Sequence, residues 1–157
     1  MPITVTVEPP RASGVEALLQ LSDDYAFSLY PAESCYLLDV SELEKPGVTV
    51  FVGRDAGGRA LGIAALVVKS DGAAELKRMF VHEDSRGQGL ASALLTAVEQ
   101  AASANGVTLL QLETGPLQHA AIALYERRGY ARIPNFGDYV GDPYSVCYSK
   151  TLTPQLV

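Results

Sequence analysis

The 157-residue chain is short of most residues that build metal centres and crosslinks. It has two cysteines, Cys35 and Cys147, far apart and without a CxxC neighbour. That excludes a disulfide framework and leaves free thiols, as in a reducing compartment. Its two histidines, His82 and His119, have no partners at metal-ligand spacing, so no metal is expected. No apolar run approaches the roughly 20 residues that span a bilayer, so no membrane partner is expected. The opening "MPITVTVEPPRASG" lacks the basic and then apolar pattern of a signal peptide. A cytoplasmic protein is the expectation. No linker, repeat or low-complexity stretch breaks the chain, so residues 1–157 are read as one domain. A basic stripe is missing too. The net charge is −6, and residues 1–76 carry all of it, with 11 acids and 5 bases. Residues 77–157 are balanced, with seven of each. Nucleic acid is therefore not an expected partner. An acidic front half would suit a cationic substrate, though it also serves as a plain solvated surface.

What is present is 48% hydrophobic and 19% charged, the range of a globular protein with a core. "ITVTVEP" reads as an edge strand closed by Pro9 and Pro10. From Ser13 a helix is expected, started by that serine and ended before Pro31, with a short second helix around 36–43. "VTVFVGRDAGGRALGIAALVV" reads as a hairpin about "DAGGR". "DGAAELKRMFV" follows as a third strand of that group. A helix from Leu90 to about Asn105 presents Leu90, Leu94, Val98 and Ala101 on one face, and Gly106 stops it. "VTLLQLET" has almost no polar break and reads as a central strand buried on both faces. A helix over 119–128, a glycine- and tyrosine-rich loop "PNFGDYVGDPYS" and a last strand "VCYSKTL" complete a mixed α/β chain.

The chemistry concentrates in "FVHEDSRGQGLASALL". A strand runs into Arg86, Gly87, Gln88 and Gly89, and a helix starts at once. The first amides of a helix have no internal partner, and the helix dipole favours negative charge there. Glycines let a phosphate approach them, and Arg86 adds a charged donor. A P-loop would need Lys and Ser or Thr after its last glycine, where Leu90 and Ala91 stand. A dinucleotide fingerprint would need a third glycine where Ser92 stands, and "HEDSR" parts the glycines from the strand. The third option is a coenzyme A pyrophosphate loop.

"SRGQGLASAL" resembles the Q/R-x-x-G-x-G/A signature of the GNAT superfamily of N-acetyltransferases, with Arg86, Gly89 and Ala91 in its fixed places. "QHAAIALYERRGY" resembles that family's N-x-x-A-x-x-L-Y-E-x-x-G-F/Y segment through Ala121, Leu124, Tyr125, Glu126, Gly129 and Tyr130. Gln118 stands where the family has Asn; it keeps the amide one methylene further out. The resemblance covers residues 3–152 as a fold and about 73–130 as motifs. It implies a mixed, mostly antiparallel sheet of six to seven strands flanked by about four helices, splayed between strands 4 and 5. It implies acetyl coenzyme A as donor. The pantetheine arm would pair along Met79, Phe80 and Val81. The amides of Arg86, Gly87, Gln88, Gly89, Leu90 and Ala91 would take the pyrophosphate, with Ser92 and Gln118 close by. A free amide near 79–80 would polarise the thioester carbonyl, and Tyr125 would protonate the leaving sulfur.

For the base, the resemblance favours Glu75, since acidic residues on this strand often act in the family, directly or through water; by period two 75, 77, 79 and 81 are expected to share a face. The plain alternative is a carboxylate paired with Lys77 or Lys69. Lys77 and Arg78 are expected on opposite faces, either able to hold a substrate carboxylate. His82 is the weaker choice of base, since it lies beside the phosphate loop. Tyr30, Glu33, Tyr36, Phe136 and Tyr139, from two aromatic-rich segments, are candidates for lining the acceptor pocket with Lys77. The expected reaction is acetyl transfer to a primary amine on a small molecule, such as an amino acid, by direct attack. Acetylation of protein N-termini or lysines and non-catalytic acyl-coenzyme A sensing stay open. Dimers are common in the family, so a homodimer is an expectation as well.

Overall fold

A computed structural model describes residues 3–69 and 71–153; of the domain expected over 1–157, residues 1–2, 70 and 154–157 lie outside it. Seven strands form one sheet: β1 (Thr4–Val7), β2 (Val48–Arg54), β3 (Ala60–Val68), β4 (Ala73–Val81), β5 (Leu109–Thr114), β6 (Ala131–Ile133) and β7 (Val146–Thr151). The spatial order is β1-β2-β3-β4-β5-β7-β6. Every neighbouring pair is antiparallel except β4–β5. The helices are α1 (Val15–Leu29), α2 (Val40–Leu43), α3 (Leu90–Ala104) and α4 (His119–Arg127).

Two apolar layers cover the sheet. On one face Leu90, Leu94, Leu95 and Val98 of α3 and Leu124 and Tyr125 of α4 pack on Leu66, Leu76, Leu110 and Leu112. On the other, Val15, Leu18 and Leu19 of α1 and Leu43 of α2 meet Val50, Val52 and Ile63. Each fully buried aliphatic side chain contributes about 1.5–3 kcal/mol. Two glycines make room for α3. Gly53 and Gly62 are cross-strand partners, and a Cβ on either would come within 2.5 and 2.8 Å of Leu90. Leu90 therefore seats in a dimple of the sheet, which fixes where α3 begins and where the preceding turn lies.

The local chemistry differs from expectation in several places. Ser13 does not cap α1; the residue before the helix is Gly14, with φ +81°, and no side chain caps it. Of the helix expected around 36–43, only Val40–Leu43 forms, where Asp39 and Glu42 make a reciprocal capping box. β5 is not buried on both faces. Leu110, Leu112 and Thr114 are buried, whereas Leu109, Gln111 and Glu113 keep a small exposed fraction. The physical reason is that α3 and α4 cover one face of β5, while irregular segments cover the other incompletely.

The largest departure is in β4. Arg78 has φ +58°, and residues 78 and 79 together oppose Ala64. This bulge inserts one residue and breaks the alternation. A non-glycine residue in this conformation costs about 1–2 kcal/mol. Arg78 is held there by its Nη1, which donates to Asp23 Oδ1 (2.7 Å), and its Nη2, which donates to Leu19 O (3.1 Å), both on α1. Residues 75, 77, 79 and 81 consequently do not share one face. Glu75, Lys77, Arg78 and Phe80 lie toward α1, and Met79 and Val81 toward α3. Lys77 and Arg78, expected on opposite faces, share one.

Candidate active site

β4 and β5 pair in register from Ala73↔Leu109 to Leu76↔Leu112 and then part. β4 continues to Val81 and β5 to Thr114, so a gap opens between parallel neighbours. The bulge at Arg78 sits where the parting begins. Beyond Leu76 the ladder groups that β4 turns toward β5 have no strand to meet, which leaves an edge that an extended ligand can join.

A cleft of about 500 Å³ follows the gap. Leu76 to Val81 line it from β4, Glu113 and Thr114 from β5 with Gly115 just after it, and Arg86, Gly87, Gly89, Leu90, Ala91 and Ser92 from the turn and the start of α3. The turn has the open backbone that its glycines allow. Gly87 and Gly89 have φ +77° and +81°, and a Cβ on either would meet nothing within 4 Å. The first backbone bond into the helix runs from Ala93 N to Gly89 O, so the amides just before it are those a helix start leaves without partners. Ser85, beside Arg86 and on the cleft wall, is fully buried with no hydrogen-bond partner for its Oγ among the described residues. Open space over free amides, next to an orphaned hydroxyl, fits an anionic ligand with further polar groups, as a coenzyme pyrophosphate and its arm would be. The Arg86 guanidinium lies 5.9 Å from the Tyr25 ring centroid.

Tyr125 of α4 is buried on the cleft wall, its ring tilted against Tyr130 at 5.7 Å. Burial, with the nearby charge of Glu113, pushes its pKa well up, so the phenol stays protonated. Gln118 also lines the cleft, but its Oε1 accepts from Gly115 N (3.0 Å) and Thr114 Oγ1 (3.2 Å). Only its NH₂ is left for a ligand. Gln88 is exposed and off the cleft wall, so only its backbone belongs to the turn.

The acceptor side is distributed differently from expectation. Tyr30, Tyr36 and Lys77 line the cleft. Glu33 is exposed and away from it. Tyr139 is buried and Phe136 stacks edge-on against it at 5.2 Å; neither lines the cleft. Glu75 is 4% exposed and also lies behind the wall, accepting a short hydrogen bond from the Tyr139 hydroxyl. Lys69 Nζ is 3.3 Å and Lys77 Nζ 3.7 Å from its carboxylate. Lys77 Nζ in turn donates to Tyr139 Oη (2.6 Å).

The carboxylate on the wall is Glu113, which is not among the site residues expected from sequence. Burial pushes its pKa up to about 7, against the opposing hydrogen bond from Ser145 Oγ (2.7 Å) and the charge of Lys77. The available signal was a lone acid near the end of an otherwise apolar strand. Cys35 and Tyr144, likewise outside the expected set, also line the acceptor side. The two flanking segments are tied together there. Tyr36 Oη donates to Asp142 Oδ2 (2.6 Å), Ser34 Oγ donates to Asp142 Oδ1 (3.1 Å), and the Tyr36 and Tyr139 rings meet at 4.8 Å.

A half-split mixed sheet with a glycine turn and a buried tyrosine on one cleft has the architecture of an acyltransferase, and comparison with known proteins bears this out. The sequence model of the Acetyltransferase (GNAT) family matches residues 15–130, and the chain belongs to that family. It is 39% identical over 151 residues to an IAA acetyltransferase of Azospirillum brasilense, covering 96% of this chain and 98% of that one. A Klebsiella pneumoniae structure assigned as an acyl-CoA N-acyltransferase superposes with a TM-score of 0.81 at 35% identity, over 96% of this chain and 97% of that one. A GNAT acetyltransferase of Elizabethkingia anophelis with acetyl-CoA bound shares the fold, with a TM-score of 0.70 at 16% identity over 96% and 98% of the two chains. The protein is an acyltransferase of a family whose members bind coenzyme A. No helix among the described residues is long and apolar enough to cross a membrane.

Proposed function

We propose that this chain is a single acetyltransferase domain that transfers acetyl from acetyl coenzyme A to the primary amine of a small molecule. One observation carries this reading: the free amides after Arg86, the tyrosine on α4 and a carboxylate of near-neutral pKa face one cleft. The free edge of β4 from Met79 to Val81 would hold the arm of the coenzyme, and the turn from Arg86 to Ala91 its pyrophosphate. Bound there, the coenzyme supplies the acetyl group and a thiol leaving group. Glu113 takes a proton from the acceptor ammonium, which frees the nitrogen lone pair to form the C–N bond. Backbone N–H groups of the bulged stretch would be the donors to the carbonyl oxygen as it gains charge. As the C–S bond breaks, Tyr125 gives its proton to the sulfur and recovers one released from the nitrogen through solvent. Glu75 acts from behind by holding Tyr139 and Lys77 in place.

A small acceptor is favoured over a protein tail because Asp142 ties the two flanking segments together across the acceptor side. The name of the Azospirillum relative also points to a small molecule. The test is thiol release from acetyl coenzyme A across a panel of amines, comparing the wild type with Tyr125→Phe. Tight coenzyme binding without turnover on any amine would leave a sensor and refute the enzyme.

A further inference from the structure

Lys77 is a cation on the wall of the acceptor side whose charge is only partly matched. Its side chain is 11% exposed, and one of its three N–H donors goes to Tyr139 Oη at 2.6 Å. Tyr139 passes a hydrogen bond on to Glu75. Burial and the Glu75 charge push the Tyr139 pKa far up, so this phenol is a neutral spacer. Glu75 itself is closer to Lys69, at 3.3 Å, than to Lys77, at 3.7 Å. The two remaining donors of Lys77 have no hydrogen-bond partner among the described residues, Glu75 being a longer ion-pair contact.

Glu113 stands across the split. Leu76 and Leu112 are the last register pair of β4 and β5, and both face the α3 layer. The next residue on each strand, Lys77 and Glu113, therefore projects from the opposite face. Both reach the loop before β7, Lys77 at Tyr139 and Glu113 at Ser145. They form no ion pair with each other within 4 Å among the described residues; the carboxylate within that distance of Lys77 is that of Glu75. An anion receptor and a proton acceptor thus face one space, near enough to feel each other's charge but without direct contact. The other cation here, Arg78, is committed to Asp23 and Leu19 with its side chain 1% exposed. One partly matched cation suits a monoanion such as a carboxylate rather than a phosphate dianion. Around this pair, Tyr30, Tyr36 and Tyr144 supply ring surface.

We infer that the acceptor is an amino acid with an aromatic or apolar side chain, whose carboxylate is received by Lys77 while its amine faces Glu113. This rests on the acetyl-transfer reading for the role of the amine, but the carboxylate anchor is measurable without turnover.

The experiment is calorimetric binding of phenylalanine and of phenethylamine, which lacks only the carboxylate, to the protein saturated with coenzyme A. Wild type is expected to bind phenylalanine about tenfold or more tightly than phenethylamine. Lys77→Met is expected to bring that ratio to within about twofold, and Lys77→Arg, which keeps the charge, to retain most of it. A wild-type ratio near one, undetectable phenylalanine binding at millimolar concentration, or a ratio that survives Lys77→Met would overturn the inference. The wild-type ratio alone decides if Lys77→Met does not fold. Turnover of both compounds without preference would remove the anchor and keep acetyl transfer. Lys77-dependent binding of phenylalanine without turnover of any amine would do the reverse.

Discussion

Replacing Glu113 by Gln removes a cleft-lining carboxyl whose pKa burial brings to about 7, with consequences for both rate and stability. With a pKa of about 7, roughly one tenth of the wild-type carboxylate is ionised at pH 6 and nine tenths at pH 8. The rate constant kcat/KM should rise about tenfold per pH unit below 7 and level off above it. A positioned base typically contributes about 10²–10⁴-fold, so Glu113→Gln should lose that much at pH 8 and lose the inflection too. The stability effect has its own sign. An unfolded glutamate ionises near pH 4.3, so between about 4.3 and 7 the unfolded chain releases a proton that the folded chain keeps. Stability should therefore fall as pH rises through that window and be flat above it. The full difference is at most about 3–4 kcal/mol, and contact with cleft water reduces it to about 1–2 kcal/mol. Urea unfolding at pH 5 and pH 8 should show Glu113→Gln gaining on the wild type at pH 8 by that amount. A gap between the two proteins that does not change with pH would refute the titration. A pH 7 inflection in kcat/KM that persists in Glu113→Gln would place the base elsewhere, Glu75 first.

Three other perturbations separate the remaining parts. Tyr125→Phe should lower kcat by about a hundredfold with little change in coenzyme affinity by calorimetry, since only the hydroxyl is lost; an unchanged kcat would remove its role as acid. Gly89→Glu forces a left-handed φ on a side chain and places a negative charge at the helix start, so affinity for coenzyme A should fall by on the order of a hundredfold. Surviving affinity would show that the turn does not hold the pyrophosphate. Gly115→Ala would bring a Cβ within 1.9 Å of Tyr30 Oη, which accepts from Leu117 N at 3.0 Å; unfolding in denaturant should show a loss of about 1–3 kcal/mol.

The sequence by itself settled what local chemistry dictates. Gly87 and Gly89 announced an open turn, because so few other residues adopt positive φ, and the residues after them excluded two kinds of phosphate loop. The strand and helix order followed from hydrophobic period, and the spacing of "SRGQGLASAL" and "LYERRGY" identified the family. Tyr125 was legible for the same reason, as part of a contiguous segment. Tertiary structure alone decided the rest. Arg78 takes its left-handed conformation because α1 supplies Asp23 and Leu19 to hold it, and no local signal marks a bulge at an arginine. That single residue reverses the faces of Met79 and Val81, so a period-two argument from Glu75 fails at that point. Glu113 acquires its near-neutral pKa from burial, which depends on what packs over it rather than on its neighbours in the chain. Tyr36 and Asp142 close the acceptor side across 106 residues of sequence. Contacts of that range are set by where the fold lays the segment between α1 and α2 against the loop between β6 and β7. The residues able to hold a coenzyme were thus readable from the chain, while those that face the acceptor emerge only once the fold has placed them.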